Sequence, residues 1–159
     1  MKLNQIAFCV PDLERAKELL TGLGAKFEME DELTMTGKFG KNFADNVPIK
    51  LSFDYEMLKE CNELELIESK DARHWHQNER SNNKSFLSHI GVYCESFTEL
   101  KIIRHNLVEI HGYKEIQMTQ SQNHTNKRQD GTERHYVDCI VDTSEFLGFN
   151  IKLTARTPL

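Results

Sequence analysis

Alternating apolar and polar side chains divide the chain into two similar halves. Between Leu3 and Val10, the residues Ile6, Phe8 and Val10 alternate with Gln5, Ala7 and Cys9, the period-two pattern of a half-buried strand. Pro11-Asp12 then opens a helix, with Asp12 as N-cap and Leu13, Ala16, Leu20 and Leu23 on one face. Gly22 and Gly24 end it. Strands are predicted over 25–29, 49–55 and 63–67, with 37–46 as a loop and Gly37-Lys38-Phe39-Gly40-Lys41 as a hairpin turn within it.

The second half repeats the order. A strand over 86–94 is followed by Ser96 and Glu99, spaced as a capping box in which each side chain reaches the other's free backbone N–H. Leu100, Ile103, Leu107 and Ile110 give the helix its apolar stripe and Gly112 ends it. Strands are predicted again over 114–119, 134–141 and 149–154, with 120–133 as a polar loop. Both halves thus read strand, helix, three strands. Gln5 and His89 are 84 positions apart, and the same offset lays Ile6 on Ile90 and the cap Asp12 on the cap Ser96. Glu65 and Lys152 are 87 apart, so small length differences fall in loops. A unit of roughly 85 residues is too long for a solenoid repeat. It predicts two modules, about 1–68 and 86–156, packed into one domain over 1–159. The linker 69–85 carries His74-Trp75-His76, which is read there as structural.

Because strand side chains alternate, Gln5, Ala7 and Cys9 share a face opposite the helix. By the same rule Glu63, Glu65 and Ile67, then His89, Gly91 and Tyr93, then Asn150, Lys152 and Thr154 face the same way. Pairing the halves turns that face into a polar-lined cavity, with the aliphatic set packed under the helices.

Bulk properties narrow the function. Apolar residues make up 38% and the net charge is −5, which argues against a general nucleic-acid binder. No stretch approaches the roughly 20 apolar residues of a membrane span, and the N-terminus lacks the apolar core of a signal peptide. A cytoplasmic protein is the expectation. Its four cysteines lack a CxxC spacing and read as reduced, buried thiols.

The double βαβββ pattern, with Asn4-Gln5-Ile6-Ala7, Leu64-Glu65-Leu66-Ile67, Ser88-His89-Ile90-Gly91 and Leu147-Gly148-Phe149-Asn150-Ile151-Lys152-Leu153, resembles the vicinal-oxygen-chelate superfamily. That group includes glyoxalase I, methylmalonyl-CoA epimerase, extradiol dioxygenases and the fosfomycin and bleomycin resistance proteins. The resemblance covers nearly the whole chain. It implies an α+β fold in which two βαβββ modules form a curved mixed sheet around a cavity. It also implies a divalent metal held by His or Gln, Glu, His and Glu. Gln5, Glu65 and His89 take the first three of these metal positions, but the fourth is Lys152. An ammonium a few ångströms from a divalent ion opposes its binding, whereas pairing with Glu65 would replace it. Neither charge would be buried without the other.

Three functions follow from this reading. The first is a small-molecule-binding protein with a degenerate metal site and no cofactor. Its ligand walls would be Phe53, Tyr55 and Tyr93, with His135 as a further polar contact, and Lys152 and His89 would favour an anionic or oxygen-rich ligand. The alternative is a metal-dependent isomerase, lyase or transferase of the glyoxalase or epimerase type, using one zinc, nickel, manganese or iron ion. Glu65 would then hold the metal or abstract a proton, and Lys152 would stabilise an enediolate. The third is a non-catalytic interaction domain. The resemblance also makes a homodimer an expectation, with a small molecule as partner and neither nucleic acid nor membrane.

Overall fold

The computed structural model describes residues 2–27, 29–58, 63–76, 85–123 and 135–156. Eight strands dominate them: β1 (Lys2–Cys9), β2 (Met29–Phe39), β3 (Asn42–Asp54), β4 (Glu63–Glu68), β5 (Phe86–Tyr93), β6 (Lys114–Asn123), β7 (His135–Asp142) and β8 (Asn150–Arg156). Three helices accompany them: α1 (Leu13–Thr21), α2 (Phe97–His105) and the single turn α3 (Ser144–Leu147). No described helix is long and apolar enough to cross a membrane.

The predicted curved sheet closes completely, in the order β1-β4-β3-β2-β6-β7-β8-β5 and back to β1. Each half of the sequence supplies four adjacent strands, and two antiparallel seams, β1–β5 and β2–β6, join them. The register carries the internal repeat. Gln5 pairs with Gly91 and Ala7 with His89, the exchange expected if Gln5 matches His89 and Ala7 matches Gly91. Likewise Ala7 pairs with Glu65 in β4, and Gly91 with Lys152 in β8.

Both helix starts form as their sequences predict. The Asp12 carboxylate accepts from Arg15 N at 3.0 Å, and Ser96 Oγ accepts from Glu99 N at 3.1 Å. Glu99 reaches back to the N–H of Glu95, at 2.7 Å, one residue beyond the predicted partner. The α1 side chains Leu13, Ala16 and Leu20 pack with Val10, Leu66 and Phe27. Leu23 does not join them; it follows the helix end and is exposed. Leu100, fully buried, anchors α2 on Cys139, Val141, Leu153 and Ala155. Past His105 the helix widens into a π turn over Asn106–Ile110, with His111 N donating to Asn106 O. That widening rotates Ile110 off the predicted stripe and into solvent.

Two loop expectations are corrected. Segment 37–46 is mostly strand, because β2 and β3 form one long hairpin turning at Gly40-Lys41, while 25–27 lies outside any strand. Gly37 explains why glycine sits inside β2. Its φ is +147°, and a Cβ there would lie 2.3 Å from Met118 O on the neighbouring strand. The predicted loop 120–133 begins as strand through Asn123, and the rest lies outside the described residues. Cys9, Cys94 and Cys139 are buried thiols, and burial pushes Cys139 up to about 12; Cys61 lies outside the described residues.

The barrel interior is not polar throughout. Leu33, Met35, Phe39, Val47, Ile49, Leu51, Phe53, Ile67 and Ile140 point inward with Ala7 and form a continuous core. The segment between the halves enters this core. Trp75 packs 4.0 Å from the His76 ring and 6.4 Å from Phe86, and His74 lies 5.4 Å from Phe39. Trp75 Nε1 donates to Gln117 Oε1 at 2.8 Å. His74, Trp75 and His76 therefore plug one end of the barrel, and the polar centre lies above them.

Candidate functional site

The β1, β4, β5 and β8 register brings Gln5, Glu65, His89 and Lys152 together at the barrel centre. All four are buried; Glu65 and His89 are each 1% exposed. Gln5 Oε1 lies 2.9 Å from His89 Nε2 and 3.3 Å from Lys152 Nζ. The Lys152 ammonium is also 3.8 Å from Glu65 Oε2 and 3.8 Å from Asp138 Oδ1. His89 Nε2 completes the cluster at 3.3 Å from Glu65 Oε2.

Close packing of Gln5 depends on Gly91, its register partner. A Cβ at position 91 would lie 2.8 Å from both Cβ and Oε1 of Gln5. The cluster extends toward the end of the barrel away from His74-Trp75-His76, where Gln5 Nε2 donates to Glu63 Oε2 at 2.9 Å and Tyr93 OH donates to the same carboxyl at 3.3 Å. Thr154 Oγ1 donates to Asp138 Oδ1 at 2.7 Å. Toward the plug, Ser88 Oγ lies 3.0 Å from His89 Nδ1 and 2.8 Å from His76 Nε2.

Electrostatics assign each group a state. Burial alone would raise the Glu65 pKa, but the Lys152 charge and the His89 hydrogen bond outweigh it and hold the carboxyl below the usual range. Burial would lower Lys152, yet Glu65 and Asp138 more than offset it, so the amine stays charged. His89 is pushed down, first by burial and further by Lys152, and is neutral at pH 7. Glu63 behaves oppositely to Glu65: burial, then the neighbouring Glu65 charge, raises it. Burial and nearby carboxylates also push the Tyr93 hydroxyl up.

The donor chemistry does not fit a divalent ion as these side chains stand. A metal needs lone pairs from Gln5 Oε1, Glu65 and His89 directed at one point. Here Gln5 Oε1 and Glu65 Oε2 face the Lys152 ammonium, and a cation already sits within their reach. No group of three or more His, Cys, Asp or Glu among the described residues is arranged around a metal position.

The other sequence candidates are placed differently from one another. Tyr93 joins the centre through Glu63. Phe53 is a core wall beside Glu65 in register. Tyr55 lies past the end of β3, 42% exposed, and its ring stacks 6.1 Å from Phe53 instead of lining the interior. His135 shares strand parity with Val137 and Cys139, which pack under α2, whereas Asp138 and Ile140 occupy the inward parity. It therefore sits on the outer register of β7. Sequence reasoning missed Asp138, Ser88 and His76. It put Glu63 on the right face without giving it a role. Alternation could have found Asp138, two residues before inward Ile140. Nothing periodic marks His76. A groove of about 610 Å³ bordered by Glu32, Pro48, Lys50, Glu68 and Asp71 contains none of the central side chains.

No protein-family model matches the chain, and no curated protein matches it in sequence. Solved structures do match. Methylmalonyl-CoA epimerase from Mycobacterium tuberculosis superposes with TM-score 0.59 at 11% identity, over 98% of this chain and 88% of that one. A single-residue variant of the Streptomyces coelicolor epimerase, in complex with 2-nitronate-propionyl-CoA, gives 0.59 at 11% identity, over 99% of both. A hypothetical protein, BH1468, from Bacillus halodurans C-125 gives 0.56 at 15% identity, over 99% and 96%. Likeness at such identities concerns the path of the backbone, and it agrees with the register repeat and the strand order. The chain therefore has a glyoxalase-like α+β fold, a scaffold it shares with the methylmalonyl-CoA epimerases.

Proposed function

We propose that this chain binds a small molecule at the Glu63–Tyr93 end of its barrel, on a vicinal-oxygen-chelate scaffold whose metal position is taken by the Lys152 ammonium. The observation that carries the reading is the contact of Lys152 Nζ with Gln5 Oε1 at 3.3 Å and with Glu65 and Asp138 at 3.8 Å. A fixed internal cation makes an added one unfavourable. It also revises the ligand expected from sequence. The Lys152 charge is committed to Glu65 and Asp138, so little remains to attract an anion. Glu63 and Tyr93, half-buried at the rim, offer hydrogen bonds instead.

Purifying the chain without chelator and measuring bound metal by elemental mass spectrometry tests this, before and after incubation with zinc, nickel, manganese and iron(II). Substoichiometric metal throughout, together with a melting-temperature rise for some member of a metabolite panel that includes acyl-CoA thioesters, supports the proposal. Stoichiometric metal lost on His89→Ala would overturn it.

The raised pKa of Glu63 favours a second reading of the same site, proton transfer at the carbon next to a carbonyl, of the epimerase type. Glu63 is better suited as base than Glu65, whose carboxylate is held ionised by Lys152. Deuterium wash-in at that carbon of a branched acyl thioester, abolished in Glu63→Gln, would establish it.

A further inference from the structure

The hydrogen bonds around His89 have a fixed direction. Lysine only donates, so the Gln5 amide must present Oε1 to Lys152 and therefore to His89 Nε2. The opposite end of the amide agrees, since Nε2 meets the Glu63 carboxyl at 2.9 Å. Glu65 Oε2, 3.3 Å from His89 Nε2, is an acceptor as well. Two acceptors converge on one ring nitrogen, so His89 Nε2 carries the proton. In the neutral ring Nδ1 is then an acceptor, and Ser88 Oγ–H at 3.0 Å is its donor. The Ser88 oxygen, having donated, accepts from His76 Nε2 at 2.8 Å. A single polarity thus runs from the plug to the centre: His76 donates to Ser88, Ser88 to His89, His89 to Gln5, and Gln5 to Glu63.

We propose that Gln5 and Glu65 hold His89 in the Nε2–H tautomer and that Ser88, itself held by His76, is the positioning residue that donates to His89 Nδ1, so that the barrel centre meets an N–H donor in place of an imidazole lone pair. The proposal deepens the metal-independent reading and rests on it only for its functional meaning. It implies that the ring is held at Nε2 from the cavity and at Nδ1 from the segment between the halves. A nitrogen that holds its proton toward the centre cannot ligate a metal there until that proton moves to Nδ1 and Ser88 turns from donor to acceptor, its second lone pair still open to His76.

The test is a long-range proton–nitrogen NMR correlation of the intact chain labelled with 15N-histidine. In the wild type, His89 Nε2 is expected at a protonated, pyrrole-type position. His89 Nδ1 is expected at a pyridine-type position displaced by an accepted hydrogen bond. Ser88→Ala should move Nδ1 toward the unbonded pyridine-type value and leave Nε2 protonated, and Ser88→Thr should return Nδ1 to its wild-type position. A residue that merely filled space would leave Nδ1 unmoved. Nδ1–H or doubly protonated His89 in the wild type overturns the proposal, as does an unchanged Nδ1 in Ser88→Ala; the wild-type spectrum decides the tautomer even if that variant fails to fold. Stoichiometric metal uptake alongside an Nε2–H His89 would sink the metal-independent reading alone, so the two fail separately.

Discussion

Replacing Lys152 with methionine keeps most of the side-chain volume but removes the one ammonium described at the barrel centre. At 3.8 Å and an effective dielectric of about 20, each attraction to Glu65 and Asp138 amounts to roughly 4 kcal/mol. Losing both is partly offset, because the several kcal/mol spent on burying the ammonium is no longer required. The expected net loss is about 3–5 kcal/mol, typical of a buried charge left without its partner. Urea unfolding at pH 7 measures it. Adding Glu65→Gln should recover about half, since the double variant no longer buries that carboxylate alone. The pH dependence gives an independent sign. In the wild type the Glu65 pKa is lowered, so its contribution is present above the unfolded value of 4.5 and is lost as pH falls through the folded pKa. Without Lys152, burial raises that pKa above 4.5, which penalises the folded state at neutral pH and relieves it on acidification. The variant should therefore close part of its stability gap to the wild type between about pH 7 and pH 5. A loss under about 1 kcal/mol with no rescue by Glu65→Gln would refute a charge-paired centre.

Gly91→Ala should push Gln5 off its contacts with His89 and Lys152, since the new Cβ would lie 2.8 Å from the Gln5 side chain; an overpacking cost of about 1–3 kcal/mol is expected, read as a drop in melting temperature of roughly 2–4 °C per kcal/mol. Trp75, the single tryptophan of the chain and 7% exposed, should resist acrylamide quenching until global unfolding, and Trp75→Phe should cost about 1–3 kcal/mol by leaving Gln117 Oε1 without its donor.

The parts of this fold that obey a period were legible in the sequence. Alternation placed Gln5, Glu65, His89 and Lys152 on one face, and the offset between Gln5 and His89 reappears as the exchanged pairs Gln5–Gly91 and Ala7–His89. Both N-caps follow from local chemistry and formed where expected. Two kinds of feature were not legible. The β2–β3 hairpin extends through glycine and lysine positions of low strand propensity because pairing with β6 supplies hydrogen bonds that local sequence does not announce. The burial of His74-Trp75-His76 depends on the barrel having an open end to fill, a property of the closed sheet and not of those three residues. Glu63 and Glu65 read alike in sequence, but Lys152 and His89 beside Glu65 lower its pKa while burial and the Glu65 charge raise that of Glu63.

The register that sets Ala7 beside Glu65 and Gly91 beside Lys152 has a consequence for how a duplicated architecture can be tuned. Positions related by the internal repeat face each other across one small volume, so their charges cannot be chosen independently. Two carboxylates there would repel and demand a third party to hold them together. Here one ammonium lies between the Glu65 and Asp138 carboxylates and serves both. A change of one side chain in the last strand can thus reset the charge balance of that whole volume, with the backbone unaltered.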